Sequence, residues 1–263
     1  MPFFSIVTVC LNAGNDLNVT VKSALSQIFT DLEIIIKDGG SNDGSLSKLT
    51  DDNRIRLFIQ KDSGIYDAMN QALQYVTGRY LLYLNAGDTF NSSFDLLRIH
   101  NEINQNQGNG LYYCDYKTTF LNKRVYSPQK LYEFTLFRNM LCHQCCFFEI
   151  NNFKATGFFN TNYKIAADYE FLLRFIIINK FSSKYIDLLG IIYKSGGYAF
   201  TNQKLAKQEV YLIRYDIFGS KYYLYNLLLK ITLPTLRNHL MYSGNYFIKN
   251  IYLSIANIIN RKI

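Results

Sequence analysis

Acidic side chains follow several apolar runs in this chain, at positions where a carboxylate can serve a phosphorylated ligand. The run LLYL at 81–84 gives way to Asn85, Ala86 and Gly87, and Asp88 comes next. An apolar run without periodicity predicts a strand buried in a parallel sheet, whose carboxyl edge is where ligands bind. A carboxylate there can hold a divalent cation against a diphosphate. Taken alone, however, Asp88 is better explained as a turn cap.

A second candidate loop, DGGSNDG at 38–44, follows the β-branched run LEIII at 32–36. Asp38 stands before two glycines that let the backbone approach a ligand closely, and its carboxylate can accept hydrogen bonds from a ribose or a base edge. An ordinary turn explains the same residues about as well. In the loop after the run 55–59, Asp62 and Asp67 are either polar anchors for a nucleotide or sugar, or helix caps.

The later part of the chain contributes two more candidates. His143 and Gln144 lie near the start of a predicted strand at 140–150, and a lone histidine is more often structural than catalytic. Asp168 opens an apolar helical run at 171–178, where capping is the default explanation and the helix dipole stabilises the anion. A glycine turn at 194–198, which contains Gly196, is suited to lie against phosphate.

The elements that must position these residues alternate in type up to about residue 110. The patterns predict strands at 3–9, 32–36, 55–59 and 81–84 and helices at 17–28, 68–76 and 94–104. Strand, helix, strand implies parallel pairing with a right-handed crossover. Beyond residue 110 the chain predicts strands at 111–120, 125–127, 140–150 and 185–193, so we expect an α/β fold with a mixed second half.

The composition is that of a folded protein, and most of the net positive charge lies in the last quarter of the chain. Hydrophobic residues make up 49% and charged residues 18%, as in a folded protein with a real core. The net charge is +8, and residues from 202 onward carry nine Lys and Arg against two acidic residues. Two apolar runs there, 222–233 and 247–259, are short and interrupted by lysine, which favours helices lying on an anionic membrane surface. Residues 1–201 are nearly neutral and give no basic stripe for nucleic acid.

The five cysteines have no even framework of spacings, which indicates unpaired thiols in a reducing compartment. Cys142, Cys145 and Cys146 form a cluster, but it lacks a second ligand pair at zinc spacing. We therefore expect buried cysteines and no zinc site.

Taken in order, these motifs resemble the inverting family 2 glycosyltransferases of the GT-A fold, in particular the bacterial enzymes that build O-antigen and exopolysaccharide repeats. The similarity spans roughly residues 3–200. Its motifs, in the family's order, are the first strand ending in Leu11 and Asn12, DGGSNDG at 38–44, DSGIYDAMNQAL at 62–73, LNAGD at 84–88, HQ at 143–144 and ADYEFLLR at 167–174.

The resemblance implies a role for each residue at these positions. Asp168 matches the general base, and Asp88 stands in the D-x-D region that holds Mn²⁺ or Mg²⁺. Contacts to the donor are implied for Leu11, Asn12, Asp38, Asp62, Asn70, Asn85 and Gly87. Contacts to the acceptor or the diphosphate are implied for His143, Gln144, Tyr169 and Gly196.

Two positions depart from the family pattern. Asn85 and Gly87 occupy the first two acidic positions of the metal motif, so only Asp88 remains and the cation is expected to rely more on the diphosphate. Ala167 replaces the glutamate of the family's Glu-Asp pair, which leaves the base but removes a neighbouring charge.

The resemblance implies a GT-A domain over 1–201, with a nucleotide-sugar-binding half at 1–110 and an acceptor-binding half at 111–201. Residues 202–263 are predicted to form a helical, basic, membrane-associating extension. We expect transfer of a hexose from UDP-Glc, UDP-Gal or UDP-GlcNAc to a lipid-diphosphate-linked sugar, with a β-linkage as product. The expected location is cytoplasmic, on the inner face of the membrane.

Two other functions compete with this one. A sugar-phosphate nucleotidyltransferase would carry a Gly-rich, Arg- and Lys-containing loop after the first strand, where this chain reads CLNAGN. A nucleic-acid-binding protein would use its basic residues to bind the phosphate groups of the nucleic acid. Release of UDP, of pyrophosphate or of nothing separates the three.

Overall fold

The computed structural model describes residues 1–231, and nine strands in this range form one mixed sheet in the order β3-β2-β1-β4-β8-β6-β9-β5, with β7 paired to β6. Four parallel strands make up one half of the sheet. They are β1 (Phe4–Cys10), β2 (Leu32–Asp38), β3 (Ile55–Ile59) and β4 (Tyr80–Tyr83). In register, Cys10 lies opposite Asp38 and Asp38 opposite Ile59, so three strands end at one edge.

The other half of the sheet is mixed, as the change of pattern after residue 110 predicts. It contains β5 (Thr89–Phe90), β6 (Leu111–Thr118), β7 (Arg124–Val125), β8 (Cys146–Glu149) and β9 (Ser183–Tyr193). Strand β8 runs antiparallel to both β4 and β6, while β9 is parallel to β6. The antiparallel β8 therefore joins the two halves into one sheet.

Helices cover both faces of this sheet. In chain order they are α1 (Asn15–Leu25), α2 (Ile65–Ala72), α3 (Leu96–Gln105), α4 (Glu133–Arg138), α5 (Ile150–Thr156), α6 (Ala167–Leu173), α7 (Tyr198–Thr201), α8 (Gln203–Phe218) and α9 (Lys221–Ile231). A π-helical segment, Arg174–Ile178, extends α6. The mixed sheet flanked by helices confirms the predicted fold class.

Alternation along the central strands sends side chains to two separate cores. Val7 and Val9 of β1 pack with residues of α2, α6 and α8, whereas Ile6 and Cys10 pack with residues of α1 and α3. Complete burial of β1, β2 and β4 explains why their sequences read as continuous apolar runs.

The structure corrects two of the predicted elements. Helix α2 starts at Ile65 rather than at residue 68, since Gly64 leaves the loop with φ +139° and ends the extended segment. The strand predicted at 140–150 is only β8, because His143–Cys145 form a 3₁₀ turn. Helix α5 then begins at Ile150, where its N-cap Glu149 accepts a hydrogen bond from the Asn152 N–H.

The described helices beyond residue 201 pack on the rest of the chain. Ile213 and Phe218 of α8 and Tyr225 of α9 are buried in the same core as α2, α4 and α6. The domain boundary at residue 201 stays a prediction, and the helix predicted at 247–259 lies outside the described residues. Within residues 1–231, none of the helices is both long and apolar enough to cross a bilayer.

At the opposite edge of the parallel strands, the buried Glu33 carboxylate ties three segments together. Its oxygens accept hydrogen bonds from Ser5 Oγ (2.6 Å), from Thr77 N–H and Oγ1 (both 2.8 Å) and from Arg56 (2.6 Å). Burial opposes ionisation, but these donors outweigh it, and the pKa of Glu33 lies below its ordinary value. The ionised carboxylate therefore stabilises the fold.

We expect Glu33→Gln to lower the free energy of unfolding by about 2 kcal/mol at pH 7, because an amide cannot accept all of these charge-assisted hydrogen bonds. A pKa lowered on folding contributes stability above the ordinary carboxyl pKa, and this contribution is lost as pH falls through the folded value. The difference between wild type and variant in urea unfolding should accordingly shrink at acid pH. The exposed Asp51→Asn is the control, and a pH-independent difference would contradict this account.

Candidate active site

Four loops meet at the carboxyl edge of the parallel strands, because β1, β2, β3 and β4 all end there. The first two loops are joined by hydrogen bonds. The Asn12 N–H donates to Ser41 Oγ at 2.7 Å, the Asn42 N–H donates to Asn12 Oδ1 at 3.0 Å, and the Gly14 N–H donates to Asp43 Oδ2 at 2.8 Å. The glycines and short polar residues of the two motifs thus build one continuous rim.

Asp38 organises this rim from inside. Its carboxylate is fully buried and accepts hydrogen bonds from the N–H groups of Gly40 and Ser41, both at 2.7 Å, and from Ser41 Oγ. Burial would raise the pKa of Asp38, but these hydrogen bonds lower it. In this arrangement the Asp38 oxygens bind their own loop, and a direct contact of Asp38 with a base or ribose stays a prediction.

Asp62 lies beside the same rim and is held by a buried lysine. Lys37 is fully buried on β2, and its ammonium group donates to Asp62 Oδ2 and, at 2.6 Å, to the Gln60 carbonyl. A Cβ added to Gly39 would lie 2.9 Å from Asp62 Oδ2 and 3.3 Å from Leu11 Cδ1. Leu11, Gly39 and Asp62 therefore lie in close contact, and the donor contacts of Leu11 and Asp62 stay a prediction.

The loop after β4 carries the residues of the metal motif. Thr20 of α1 holds this loop, because its hydroxyl donates to the Asp88 carbonyl at 2.8 Å and accepts from the Gly87 N–H at 2.8 Å. Gly87 has φ +96°, and a Cβ there would lie 2.7 Å from Lys194 Cδ. Lys194 thus fills the space that an acidic side chain at position 87 would need, and its ammonium group pairs with Asp16 at 2.6 Å.

Asp88 is almost completely buried within this loop. Its carboxylate accepts hydrogen bonds from the Lys194 N–H at 2.7 Å and from Gln144 Nε2 at 3.1 Å. Burial raises the pKa of Asp88 to about 6, and the two hydrogen bonds limit that rise. A cationic group nearby would favour the ionised form.

Asp168 lies in the first turn of α6, and its side chain is 12% exposed. Oδ2 is 2.7 Å from His143 Nδ1, and Oδ1 is 3.0 Å from the Tyr66 hydroxyl. Burial would raise the pKa of Asp168, but the hydrogen bonds from His143 and Tyr66 outweigh it and lower the pKa. Asp168 is therefore an anion with one oxygen directed at an imidazole.

A single turn connects Asp168 to the loop of Asp88. His143 donates to Asp168 through Nδ1, and its Nε2 is 3.4 Å from the Asn85 amide nitrogen, while the adjacent Gln144 donates to Asp88. An ionised carboxylate is only an acceptor, so the imidazole is the donor at Nδ1. The two acids and the histidine belong to one hydrogen-bonded cluster.

The backbone before Asp168 is clamped from two sides. Glu209 of α8 is buried, and its carboxylate accepts from the N–H groups of Lys164 (2.7 Å), Ile165 (2.9 Å) and Ala166 (2.9 Å). The Tyr66 hydroxyl lies 2.6 Å from the Ile165 carbonyl. Because Ala166 offers no side-chain cap to α6, the Glu209 carboxylate is the group that binds the backbone N–H groups just before this helix.

Two predicted site residues serve packing instead. The Tyr169 ring is buried and its hydroxyl donates to the Leu136 carbonyl at 2.8 Å, so the structure shows it in a packing role and its acceptor contact stays a prediction. The reason is helical geometry, since one residue beyond Asp168 the side chain points about 100° away. Asn70 exchanges two hydrogen bonds of 2.9 Å with the Phe159 backbone, and so supports the site without facing a donor.

The structure also limits the roles of two other predicted residues. Gln144 is buried, and its amide is engaged by Asp88 and by the Cys142 thiol, so it acts through Asp88. Gly196 is exposed in the loop after β9 at φ +98°, two residues from Lys194. A diphosphate contact of Gly196 stays a prediction.

The donor atoms fit a divalent cation that is shared with a diphosphate. Asp88 supplies a carboxylate, and Asn85 Oδ1 is a buried oxygen without a hydrogen-bond partner in the part of the chain that the structure describes. Mg²⁺ at such sites is held by one or two carboxylates together with phosphate oxygens. Within residues 1–231, His, Cys, Asp and Glu side chains form no group of three that could hold a metal alone. All five cysteines are free, as predicted.

Four residues that hold the site together were not predicted from the sequence. The sequence does contain a sign of the role of Lys37. A lysine inside the apolar run EIIIKD is expected to be buried, and a buried lysine is almost always paired with an acid. Tyr66 lies inside the motif at 62–73 without a distinguishing feature, and Glu209 and Lys194 act from distant parts of the chain. Spacing along the sequence cannot reveal such contacts.

Comparison with known proteins agrees with this geometry. The model of "Glycosyl transferase family 2" matches residues 5–182. A "PGL/p-HBAD biosynthesis glycosyltransferase" of Mycobacterium bovis is 32% identical over 181 residues, which cover 66% of this chain and 69% of the relative. A hyaluronan synthase of Pasteurella multocida is 26% identical over 251 residues, covering 86% of this chain and 26% of that protein.

Solved structures share the fold at low sequence identity. The mannosyltransferase PcManGT of Pyrobaculum calidifontis, in complex with GDP-Man and Mn²⁺, has a TM-score of 0.65 at 13% identity and covers 98% of this chain and 80% of that one. TarS 1–349 of S. aureus with UDP-GlcNAc has a TM-score of 0.63 at 15% identity, covering 82% and 67%. These likenesses establish the GT-A fold.

The family model covers more than half of the chain, and the mycobacterial relative is 32% identical over 66% of the chain. The order of the loops, the acid after β4 and the acid at the start of α6 are in place in the structure. The chain belongs to glycosyl transferase family 2 and is a glycosyltransferase.

Proposed function

We propose that this chain transfers a hexose from a UDP-sugar (UDP-Glc, UDP-Gal or UDP-GlcNAc) to a sugar hydroxyl, with inversion at the anomeric carbon. The observation that carries the proposal is the cluster in which the turn 143–144 joins Asp168 to Asp88. A proton acceptor and a group for the leaving diphosphate are thereby held in one site. Such an arrangement suits a single displacement.

The Asp168 carboxylate takes the proton of the attacking hydroxyl in this proposal. Asp168 is ionised, and the His143 ring holds its Oδ2 by a hydrogen bond of 2.7 Å. The acceptor oxygen attacks from the face opposite the diphosphate as its proton is removed. An α-linked donor gives a β-linked product.

The leaving diphosphate is assigned to the loop of Asp88. Asn85 Oδ1 and Asp88 would hold Mn²⁺ or Mg²⁺, which when bound neutralises charge on the departing diphosphate. Lys194 adds a positive charge beside Gly87, where the family pattern has an acid. Leu11, Asn12 and Asp62 would bind the nucleoside, with Asp38 holding their rim.

The choice of uridine is a proposal supported by one comparison. The TarS complex contains UDP-GlcNAc and the PcManGT complex contains GDP-Man, so one fold accommodates both nucleotides. The family assignment favours sugar transfer over the nucleotidyltransferase and nucleic-acid alternatives.

A lipid-diphosphate-linked sugar at the inner face of the cytoplasmic membrane is the proposed acceptor, as in O-antigen and surface polysaccharide synthesis. The nine basic residues from 202 onward support this proposal, at about 1 kcal/mol for each one near an anionic surface. A cytoplasmic, peripheral location follows from the same charges.

Asp168→Asn should lower the rate of UDP release from the preferred UDP-sugar by roughly 10²–10⁴-fold, because the amide cannot accept the proton. Binding of UDP, measured by calorimetry, should be unchanged. Glu170→Gln on the same helix, which loses a contact to Arg174 only, is the matched control. Near wild-type turnover by folded Asp168→Asn would remove the proposed base.

Glu209 should act as a positioning residue for Asp168. Glu209→Ala should lower kcat by roughly 10–100-fold, since small displacements of a catalytic group are costly, while the KM for the donor changes little. Glu133→Gln is the control, because it weakens contacts of α4 to Lys221 and Tyr225 of α9 without touching residues 164–166. Equal losses of kcat in both variants would indicate a general effect on folding.

Mn²⁺ in the presence of UDP should raise the melting temperature of the wild type by roughly 5 °C or more at saturating concentration. Asp88→Asn should abolish this additional shift and keep the shift due to UDP alone. The readout is differential scanning fluorimetry with and without EDTA. An unchanged Mn²⁺ shift in Asp88→Asn would exclude Asp88 from the metal site.

A further inference from the structure

The loop that reaches Asp88 is bonded to an exposed hairpin tip. Lys194 N–H donates to Asp88 at 2.7 Å, and the next residue, Ser195, donates its N–H to Thr119 Oγ1 at 3.0 Å. The Phe120 N–H donates back to Ser195 Oγ at 3.2 Å. Residues 119–123, which connect β6 to β7 and are called the hairpin tip below, therefore lie at the entrance to the site.

Large apolar side chains at this entrance face solvent. Phe120 and Leu121 of the hairpin tip are 77% and 46% exposed, and Tyr198 and Phe200 of α7 are 61% and 60% exposed. Both segments flank the loop 194–197. Exposed aromatic side chains grouped around one loop mark a surface that is covered by a partner.

The two chain segments that carry these side chains contain basic residues and no acidic ones. Residues 116–132 contain four basic residues and no acidic one, and residues 188–208 contain three lysines and no acidic one. Arg124 and Lys194 are paired with acids on other segments. Lys123, Lys130, Lys204 and Lys207 are exposed. The surface thus combines aromatic rings with lysines, which favours an anionic partner.

We propose that the hairpin tip and α7 dock on the surface of an anionic phospholipid bilayer, with Phe120, Leu121, Tyr198 and Phe200 inserted among the headgroups. The proposal rests on the proposed function and extends it, because this surface adds the hairpin tip and α7 to the basic region after residue 202. Aromatic residues suit the bilayer interface, and lysines are attracted to anionic lipids. A protein partner would require complementary acids and a shaped groove instead.

Docking in this way would turn the opening of the site toward the membrane. A bilayer contacting the loop 194–197 would lie next to the groups assigned to the diphosphate and the attacking hydroxyl. A sugar carried on a membrane lipid could enter without leaving the interface. Docking by the basic region alone would fix the distance to the membrane but not this orientation.

The composition of the chain supplies a direct probe, because it contains no tryptophan. Phe120→Trp places a single tryptophan at the hairpin tip, and Ile28→Trp places one at a site that is 78% exposed, after α1 and far along the chain from this entrance. With vesicles of phosphatidylglycerol and phosphatidylcholine, emission of the Phe120→Trp protein should shift to the blue and be quenched by brominated acyl chains. Emission of the Ile28→Trp protein should not change.

A second variant measures how much the exposed phenyl groups contribute to vesicle binding. The full chain carrying Phe120→Ser and Phe200→Ser should bind the same vesicles about tenfold or more weakly, from the loss of two buried phenyl groups. Hydrolysis of the UDP-sugar in solution should stay at the wild-type rate, since neither residue belongs to the site. Salt should weaken binding, and pure phosphatidylcholine should bind poorly.

Three results would overturn the proposal in distinguishable ways. Vesicle binding with unchanged Phe120→Trp emission would mean that another region alone docks. A blue shift that depends on protein concentration without vesicles would assign the surface to a second copy of the chain. Absence of any vesicle binding would remove the bilayer as partner, while UDP-sugar hydrolysis that depends on Asp168 would leave the transferase proposal standing.

Discussion

Two neighbouring side chains on one turn hold the site together. His143 donates to Asp168 at 2.7 Å and Gln144 donates to Asp88 at 3.1 Å, so the start of helix α6 and the loop after strand β4 have a fixed relation. The turn immediately precedes β8, the strand that joins the parallel and mixed halves of the sheet. The sheet itself therefore brings together acids that are 80 residues apart in sequence. Without this turn, each carboxylate would be an ordinary cap at the end of its own element.

The position of Asp168 depends further on the helix α8, which follows the part of the chain that matches the family. Glu209 accepts three successive backbone N–H groups just before α6, and α8 and α9 share a core with α4 and α6. The described part of the C-terminal region is consequently bound into the architecture of the site. We propose that it serves both to place Asp168 and to lead into the basic region assigned to the membrane.

The sequence predicted the parallel strands and their loops well, because buried strands, glycine turns and acids at strand ends are local signals. It also predicted Asp88, Asp168, His143 and Gln144 as members of one site through the order of the motifs. It did not predict which groups each side chain contacts. Tyr169 and Asn70 belong to motifs yet serve packing, and Asp38 serves its own loop, because helical rotation and tertiary hydrogen bonds decide these contacts. Lys194 and Glu209 join the site across more than 40 residues of sequence, a distance over which no local pattern operates.

The central claim is a single displacement in which the Asp168 carboxylate removes a proton opposite the leaving diphosphate. The most direct measurement is time-resolved proton NMR of an α-linked UDP-sugar with the wild-type chain, following the first anomer of the sugar released to water. The account predicts that the β-anomer appears first and then mutarotates. Initial appearance of the α-anomer would require a second nucleophile and would contradict the account.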